Sequence, residues 1–334
     1  MTAAAAPIDT HPARVAVILL SVVRRNAWTI GLLALLVALL LSAKLIQPRY
    51  GFIAIQGLGT SILPLGLAAV AQAVVVIGGG IDLSIGSMMA LTSVVAATAM
   101  TGQTEQVGVV VVLGVLLLGL VLGAINGALV VATRVPDIVV TLAMSFVWAG
   151  FALLVLPAPG GDAAQWLKDL AVGPLGNEWV PKAAVVMLVV VAVVWIPVSR
   201  SKLGLSIYAI GSNSLAAFRS GVPVGRTKLL AYALTGLFAA LAGLSLTAST
   251  GIGSPVPGPY TLESVAAVVL GGVSLAGGRG GVFGPIVAVV VLQMIRTDMT
   301  FLQIDSNLAI VAQGAILIGV LMAASLLEFR RTRP

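Results

Sequence analysis

Long apolar runs separated by short polar breaks set the pattern of this chain. The stretches "WTIGLLALLVALLLSA" (28–43), "VGVVVVLGVLLLGLVLGAINGALVVA" (107–132) and "AAVVMLVVVAVVWIPV" (183–198) are of helix length and apolar almost throughout. They are not the ten-residue alternation of a membrane β-barrel. Ten such segments are predicted, at 28–45, 52–77, 83–100, 107–132, 138–156, 181–198, 228–250, 262–275, 282–295 and 307–327. The eighth and ninth are the shortest: 14 residues each at about 1.5 Å per residue reach about 21 Å, against a hydrocarbon core of about 30 Å. These two either span or form a re-entrant hairpin around "GGRGG"; both readings leave the two termini on the same side. The apolar stretch 15–23 is too short to cross and reads as an interfacial helix. The chain therefore divides into an N-terminal segment 1–27, one transmembrane domain 28–327 and a basic tail 328–334. A cleaved signal peptide is the rival reading of 24–43, but cleavage after "LSA" would leave an odd number of spans.

Composition sharpens this into an all-α polytopic membrane protein. Of 334 residues, 59% are hydrophobic and 9% charged, with a mean hydropathy of +1.14; so few ionisable groups do not cover a water-soluble globule of this length. The 38 glycines suit close helix packing in lipid. The absence of cysteine excludes disulfides, thiolate metal sites and cysteine nucleophiles. The net charge of +7 follows from topology: with the termini cytoplasmic, 13 of the 18 Lys and Arg fall inside, as the positive-inside rule asks. No basic tract interleaved with aromatics points to nucleic acid.

Few polar residues lie within the spans. Asp82 is in "GGGIDLSIGS", where three glycines interrupt an apolar run and Ser84 follows. It reads either as a cap on the next helix or as part of irregular backbone lining a polar path. Asn126 lies in a Gly/Ala-rich stretch and is expected to bond a neighbouring helix. Pro136 and Asp137 look like a helix start, and Glu263 stands in a first turn, where capping is its default role. Asp82, Ser84, Asn126, Thr141 and Glu263 are the candidates for a translocation path or gate. Absent motifs narrow the chemistry further. The single histidine, His11, is in the N-terminal segment, so no histidine-based metal or acid–base site is expected. Nothing matches G-x-x-x-x-G-K-[ST], so any ATP is hydrolysed by another subunit.

The loop 199–227 is the longest expected on the cytoplasmic side and carries Arg200, Lys202, Arg219 and Arg226. Within it Asn213 or Ser214 is a good N-cap, 215–220 is helix-compatible, Gly221 stands at C′ and Pro223 follows. A helix of about seven residues extends only about 10 Å, and in isolation it is marginal. Leu215, Phe218 and Val222 share one face, with Arg219 beside them. Two readings stand: the helix lies flat on the headgroups, or its apolar knobs fill a groove on a cytoplasmic partner.

Taken together, "GGGIDLSIGSMMAL", "GAINGALVVATRVPDIVVTLAMS", "LGLSIYAIGSNSLAAFRSGVPVGRTKLLAY", "TGLFAALAGL" and "LESVAAVVLGGVSLAGGRGGVFG" resemble the permease subunits of bacterial ATP-binding-cassette importers of the ribose type. The blocks follow the family's order and cover most of 77–284. The resemblance implies a ten-span, type II importer fold in the bacterial inner membrane, with both termini cytoplasmic. It implies a second permease copy, identical or not, and cytoplasmic ATPase domains that carry ATP and Mg, leaving no cofactor on this chain. A periplasmic sugar-binding protein would deliver a monosaccharide. The stretch Asn213, Ser214, Leu215, Ala216, Ala217, Phe218, Arg219, Ser220 and Gly221 would then be the coupling helix that docks into the ATPase. On the outer side, the loop 157–180 is the expected platform for the binding protein, with Asp162, Lys168, Asp169 and Glu178 as contact candidates. Trp166 and Trp179 in that loop read equally as interfacial anchors. The rivals are a branched-chain amino-acid-type permease of the same transporter class, and an ion-coupled secondary transporter, which would need ionisable sites that the spans hardly offer.

Overall fold

A computed structural model describes residues 27–256 and 258–305, with 308, 311, 314, 315, 318, 319 and 322. The interfacial helix expected at 15–23, the tail 328–334 and most of the tenth segment lie outside the described residues. Twelve helices are described: α1 (Ala27–Ile46), α2 (Phe52–Ile77), α3 (Ile85–Met100), α4 (Glu105–Thr133), α5 (Asp137–Val155), α6 (Gln165–Ala171), α7 (Lys182–Arg200), α8 (Lys202–Ser212), α9 (Ser214–Arg219), α10 (Val224–Thr250), α11 (Tyr260–Leu270) and α12 (Phe283–Phe301). Between α6 and α7 a small antiparallel hairpin, β1 (Pro174–Leu175) and β2 (Asn177–Pro181), turns at Gly176, whose φ of +73° suits glycine.

Six described helices, α2, α4, α5, α7, α10 and α12, are long and apolar enough to cross a membrane, and the described parts of α1, α3 and α11 are shorter apolar helices. α2 is the hub. It is apolar on every side, and all residues from Ile62 to Ile77 are buried, enclosed by α7, α10, α11 and α12. By contrast α4 and α5 bury only a narrow stripe and turn most of their apolar surface outward, as lipid-facing helices do.

Helices cross closely where glycine removes the side chain. Gly119, Gly123 and Gly127 of α4, each four residues apart, press against α10: a β-carbon at Gly123 would overlap the Tyr232 carbonyl, and one at Gly127 would meet Leu229 Cα at 2.9 Å. Gly236 of α10 reciprocates, and a β-carbon there would meet Gly123 Cα at 2.8 Å. This small-residue seam brings the backbones together in a medium that supplies no hydrophobic drive between helices.

Three expectations are corrected. The third span starts at Ile85 and has 16 residues, because Ile81 to Ser84 form a separate, hydrogen-bonded break. The eighth segment is a helix of only 11 residues, about 16 Å long, ended by a turn in which Gly272 has φ +79°. The ninth is longer than its apolar run, 19 residues, since Arg296 and Asp298 are carried inside the helix by an ion pair with Glu263 and a hydrogen bond from Ser42.

Gly236→Val is expected to cost about 1–3 kcal/mol through overpacking of the α4–α10 seam, and Gly114→Val, on the same α4 but with open space around it, is expected to be neutral. Melting of the detergent-purified protein checks the contrast.

Candidate functional site

The segment between α7 and α10 is not a single loop. Ser201 caps α8, its hydroxyl accepting from the amides of Leu203 (3.2 Å) and Gly204 (3.4 Å); this second helix was missed because its apolar residues are interleaved with Gly and Ser. One residue later Asn213 caps α9, its Oδ1 accepting from the Ala216 amide at 2.9 Å. At the other end Gly221 has φ +84°, and the amides of Gly221 and Val222 donate to the carbonyls of Phe218 and Ala217 at 3.0 Å each. That is a Schellman ending, and it leaves a helix of six residues closed at both ends. Ala217 is its buried residue, while Leu215 and Phe218 are 58% and 67% exposed. A helix too short to persist alone is thus built to present two bulky apolar side chains outward.

A second cluster is buried within the bundle. Asp82 Oδ1 accepts from the Ser84 amide at 2.8 Å and the Ser84 hydroxyl at 2.6 Å. Asn126 Nδ2 donates to Ser84 Oγ at 2.7 Å, and Trp148 Nε1 donates to Asn126 Oδ1 at 3.2 Å. Thr141 Oγ1 accepts from the Leu83 amide at 3.0 Å and donates to the Ile81 carbonyl at 3.2 Å. The four candidates Asp82, Ser84, Asn126 and Thr141 therefore form one network joining the break to α4 and α5. Asp82 does not cap α3 as expected. It serves the residue before the helix, and the Gly86 amide in the first turn is satisfied by Thr261 Oγ1 of α11 at 3.0 Å. No local signal announced Thr261, which is 175 residues away. Asp82 Oδ2 is buried with no hydrogen-bond partner among the described residues, a cost that the structural reading alone leaves unexplained.

Glu263 stands apart from this network, paired on α11 with Arg296 of α12 rather than capping its own helix. Asp137 begins α5 and pairs with Lys228 of α10 at 3.2 Å, and it accepts from the Tyr232 hydroxyl at 3.0 Å.

At the opposite end of the bundle, the candidates of the 157–180 loop are engaged in local contacts. Lys168 Nζ lies 2.7 Å from Asp162 Oδ1, and this hydrogen bond, aided by the Ala163 amide, holds the Asp162 carboxyl below its ordinary value. Asp169 accepts from Gln165 at 2.9 Å. The Glu178 carbonyl accepts from Gln56 at 2.9 Å, and Trp179 beside it packs edge-on to Phe52.

A capped, knob-bearing helix at one end of an apolar bundle, a polar break beneath it and a folded platform at the other end suit a transport subunit, and comparison decides the family. Residues 53–321 match the protein family described as "Branched-chain amino acid transport system / permease component". The chain belongs to this permease family. It is a multi-pass membrane protein. The ribose import permease protein of Escherichia coli K12 is 33% identical over 259 residues, covering 75% of this chain and 79% of that one. The ribose import permease protein of Bacillus subtilis 168 is 33% identical over 270 residues, 77% and 80% of the two chains. The autoinducer 2 import system permease protein of Escherichia coli O157:H7 is 30% identical over 311 residues, 90% and 93%. No solved structure matches.

For this permease, Asn126→Leu is expected to cost about 1–3 kcal/mol by stranding the Trp148 indole and the Ser84 hydroxyl. Asp82→Asn, which keeps an acceptor for Ser84, is expected to cost clearly less, and melting in detergent compares the two.

Proposed function

We propose that this permease is the transmembrane subunit of an ATP-driven importer that passes a monosaccharide delivered by a periplasmic binding protein and couples to a separate cytoplasmic ATPase. The observation that carries it is the pair Leu215 and Phe218, exposed on a helix closed at both ends. A headgroup-bound helix would spread its apolar face over several turns, whereas one and a half turns with two knobs suit a groove in a protein. The lack of a P-loop in the chain supports a reading in which ATP and Mg are carried by the partner. The substrate class is supported by the relatives, two of those above being named for ribose import. An ion-coupled mechanism would have to rest on Asp82, since Asp137 is paired with Lys228 and Glu263 with Arg296.

In this reading both termini and the α7–α10 segment are cytoplasmic, two permease copies form the path, and the coupling loop 199–227 is the mechanical input. Closure of the ATPase dimer moves α9 and biases two arrangements of the helices. The Asp82–Asn126 network, at the break, is the part of the path nearest that input. The α6 and β1–β2 platform meets the binding protein, with Glu178 and Trp179 the freest of its outward groups.

The test is purification of the complex in mild detergent, followed by D-ribose uptake in cells. An ATPase is expected to copurify, and Phe218→Asp is expected to reduce both its recovery and uptake by more than about tenfold with membrane insertion intact, because a charge enters an apolar groove. Normal recovery and uptake in that variant would remove the docking assignment. A thermal-shift screen of the binding protein against sugars and branched-chain amino acids decides the substrate class.

A further inference from the structure

Two glycine-bearing turns meet the end of α8, just before α9. Gly211, next to last in α8, lies so close to the end of α2 that a β-carbon there would overlap the Ile77 carbonyl and come within 2.7 Å of the Gly278 amide nitrogen. Gly79, with φ +82°, faces the same residue, and a β-carbon on it would meet Gly211 Cα at 3.4 Å. Gly277, with φ +84°, would place one 2.7 Å from the Gly211 carbonyl oxygen and 2.8 Å from Gly79 Cα. Gly278, with φ +70°, would place one 2.6 Å from Ser212 Cα, and its amide donates to the Ile77 carbonyl at 2.9 Å. Nearby, the Tyr208 hydroxyl of α8 donates to the Gly280 carbonyl at 2.9 Å.

The contact is therefore main chain against main chain, with no side chain between. Side chains absorb small displacements by changing rotamer, but packed backbones transmit them. The arrangement also differs from the α4–α10 seam. There the glycines are borne on two long helices and bring them together. Here three of the four are turn residues at positive φ, and all converge on Gly211 and Ser212, the pair just before the Asn213 cap of α9. The α2 end leads through Gly80, which lies beneath Asp137 and Tyr232 of α5 and α10, into the Asp82 break. The other side of the contact is the turn that joins α11 to α12.

We propose that Gly79, Gly211, Gly277 and Gly278 form a rigid backbone junction that delivers movement of α9 simultaneously to the end of α2 and to the α11–α12 turn. This rests on the reading of α9 as the ATPase-docking helix. The four are positioning residues, acting through the segments that they hold in contact. The docking knobs Leu215 and Phe218 are exposed and are not among the atoms that press on the four glycines, so the two functions are separable by substitution.

The chain has no cysteine, so a single Ala276→Cys reporter, exposed in the α11–α12 turn, reads that turn without background. In the purified permease–ATPase complex, the rate of its reaction with N-ethylmaleimide is measured with and without ATP and vanadate. A nucleotide-dependent change is expected in the reporter chain. With Gly211→Ala added, the change is expected to fall by about tenfold while the ATPase still copurifies and hydrolyses ATP. Tyr208→Phe removes one hydrogen bond and no packing, and is expected to lower the change about twofold; it decides the matter if Gly211→Ala does not accumulate. No nucleotide-dependent change in the reporter chain, an undiminished change in the substituted chains, or loss of the ATPase from Gly211→Ala would each overturn the junction. Failure of the ATPase to copurify with the unsubstituted permease would instead remove the docking reading itself.

Discussion

Hydrocarbon offers no hydrogen bonds, so every backbone amide and carbonyl of this permease at membrane depth must be satisfied within the protein, and any departure from helix must be enclosed by other helices. The architecture follows from that constraint. α2, apolar on all sides, is wrapped by its neighbours, and the irregular stretch that follows it, from Gly78 to Ser84, is tolerated because α4, α5 and α11 surround it with Asn126, Thr141 and Thr261. The break is thus a supported element. Removing any one of these partners would leave a polar group without an exit to water.

The same constraint accounts for the glycines. In lipid, helices gain little from hiding apolar surface from one another, so they associate through close backbone approach and internal polar contacts. The α4–α10 seam is the plain case, joining two spans over three turns. The cluster around Gly211 uses the same absence of side chains for a different end, holding two turns against the end of α8, just before α9. Both depend on the lack of a β-carbon, but only the second lies between α9 and the buried polar network.

Much of this was legible in the chain. Nine of the ten predicted spans have counterparts among the described helices, and the short helix expected in the 199–227 loop forms where its cap residues placed it, between Asn213 and Gly221. Asn126 bonds the neighbouring α5 through Trp148, as expected of it, and Asp137 begins α5 where a helix start was read. The boundaries that moved did so for identifiable reasons. Ionic partners let α12 run on through Arg296 and Asp298, and the interleaved Gly and Ser of α8 hid a helix with a sound N-cap at Ser201.

Sequence by itself determined that this is a multi-span helical protein with a capped helix between its sixth and seventh spans, because apolar run length and cap chemistry are local properties. Only the tertiary structure decided that Ser84, which donates to Asp82, is itself bonded from α4 while the start of α3 is capped from α11, that Glu263 pairs with Arg296, and that Gly79, Gly211, Gly277 and Gly278 touch. Those pairings join residues up to about two hundred positions apart, and a pattern that repeats every few residues holds no record of which distant turn a glycine has been cleared to receive.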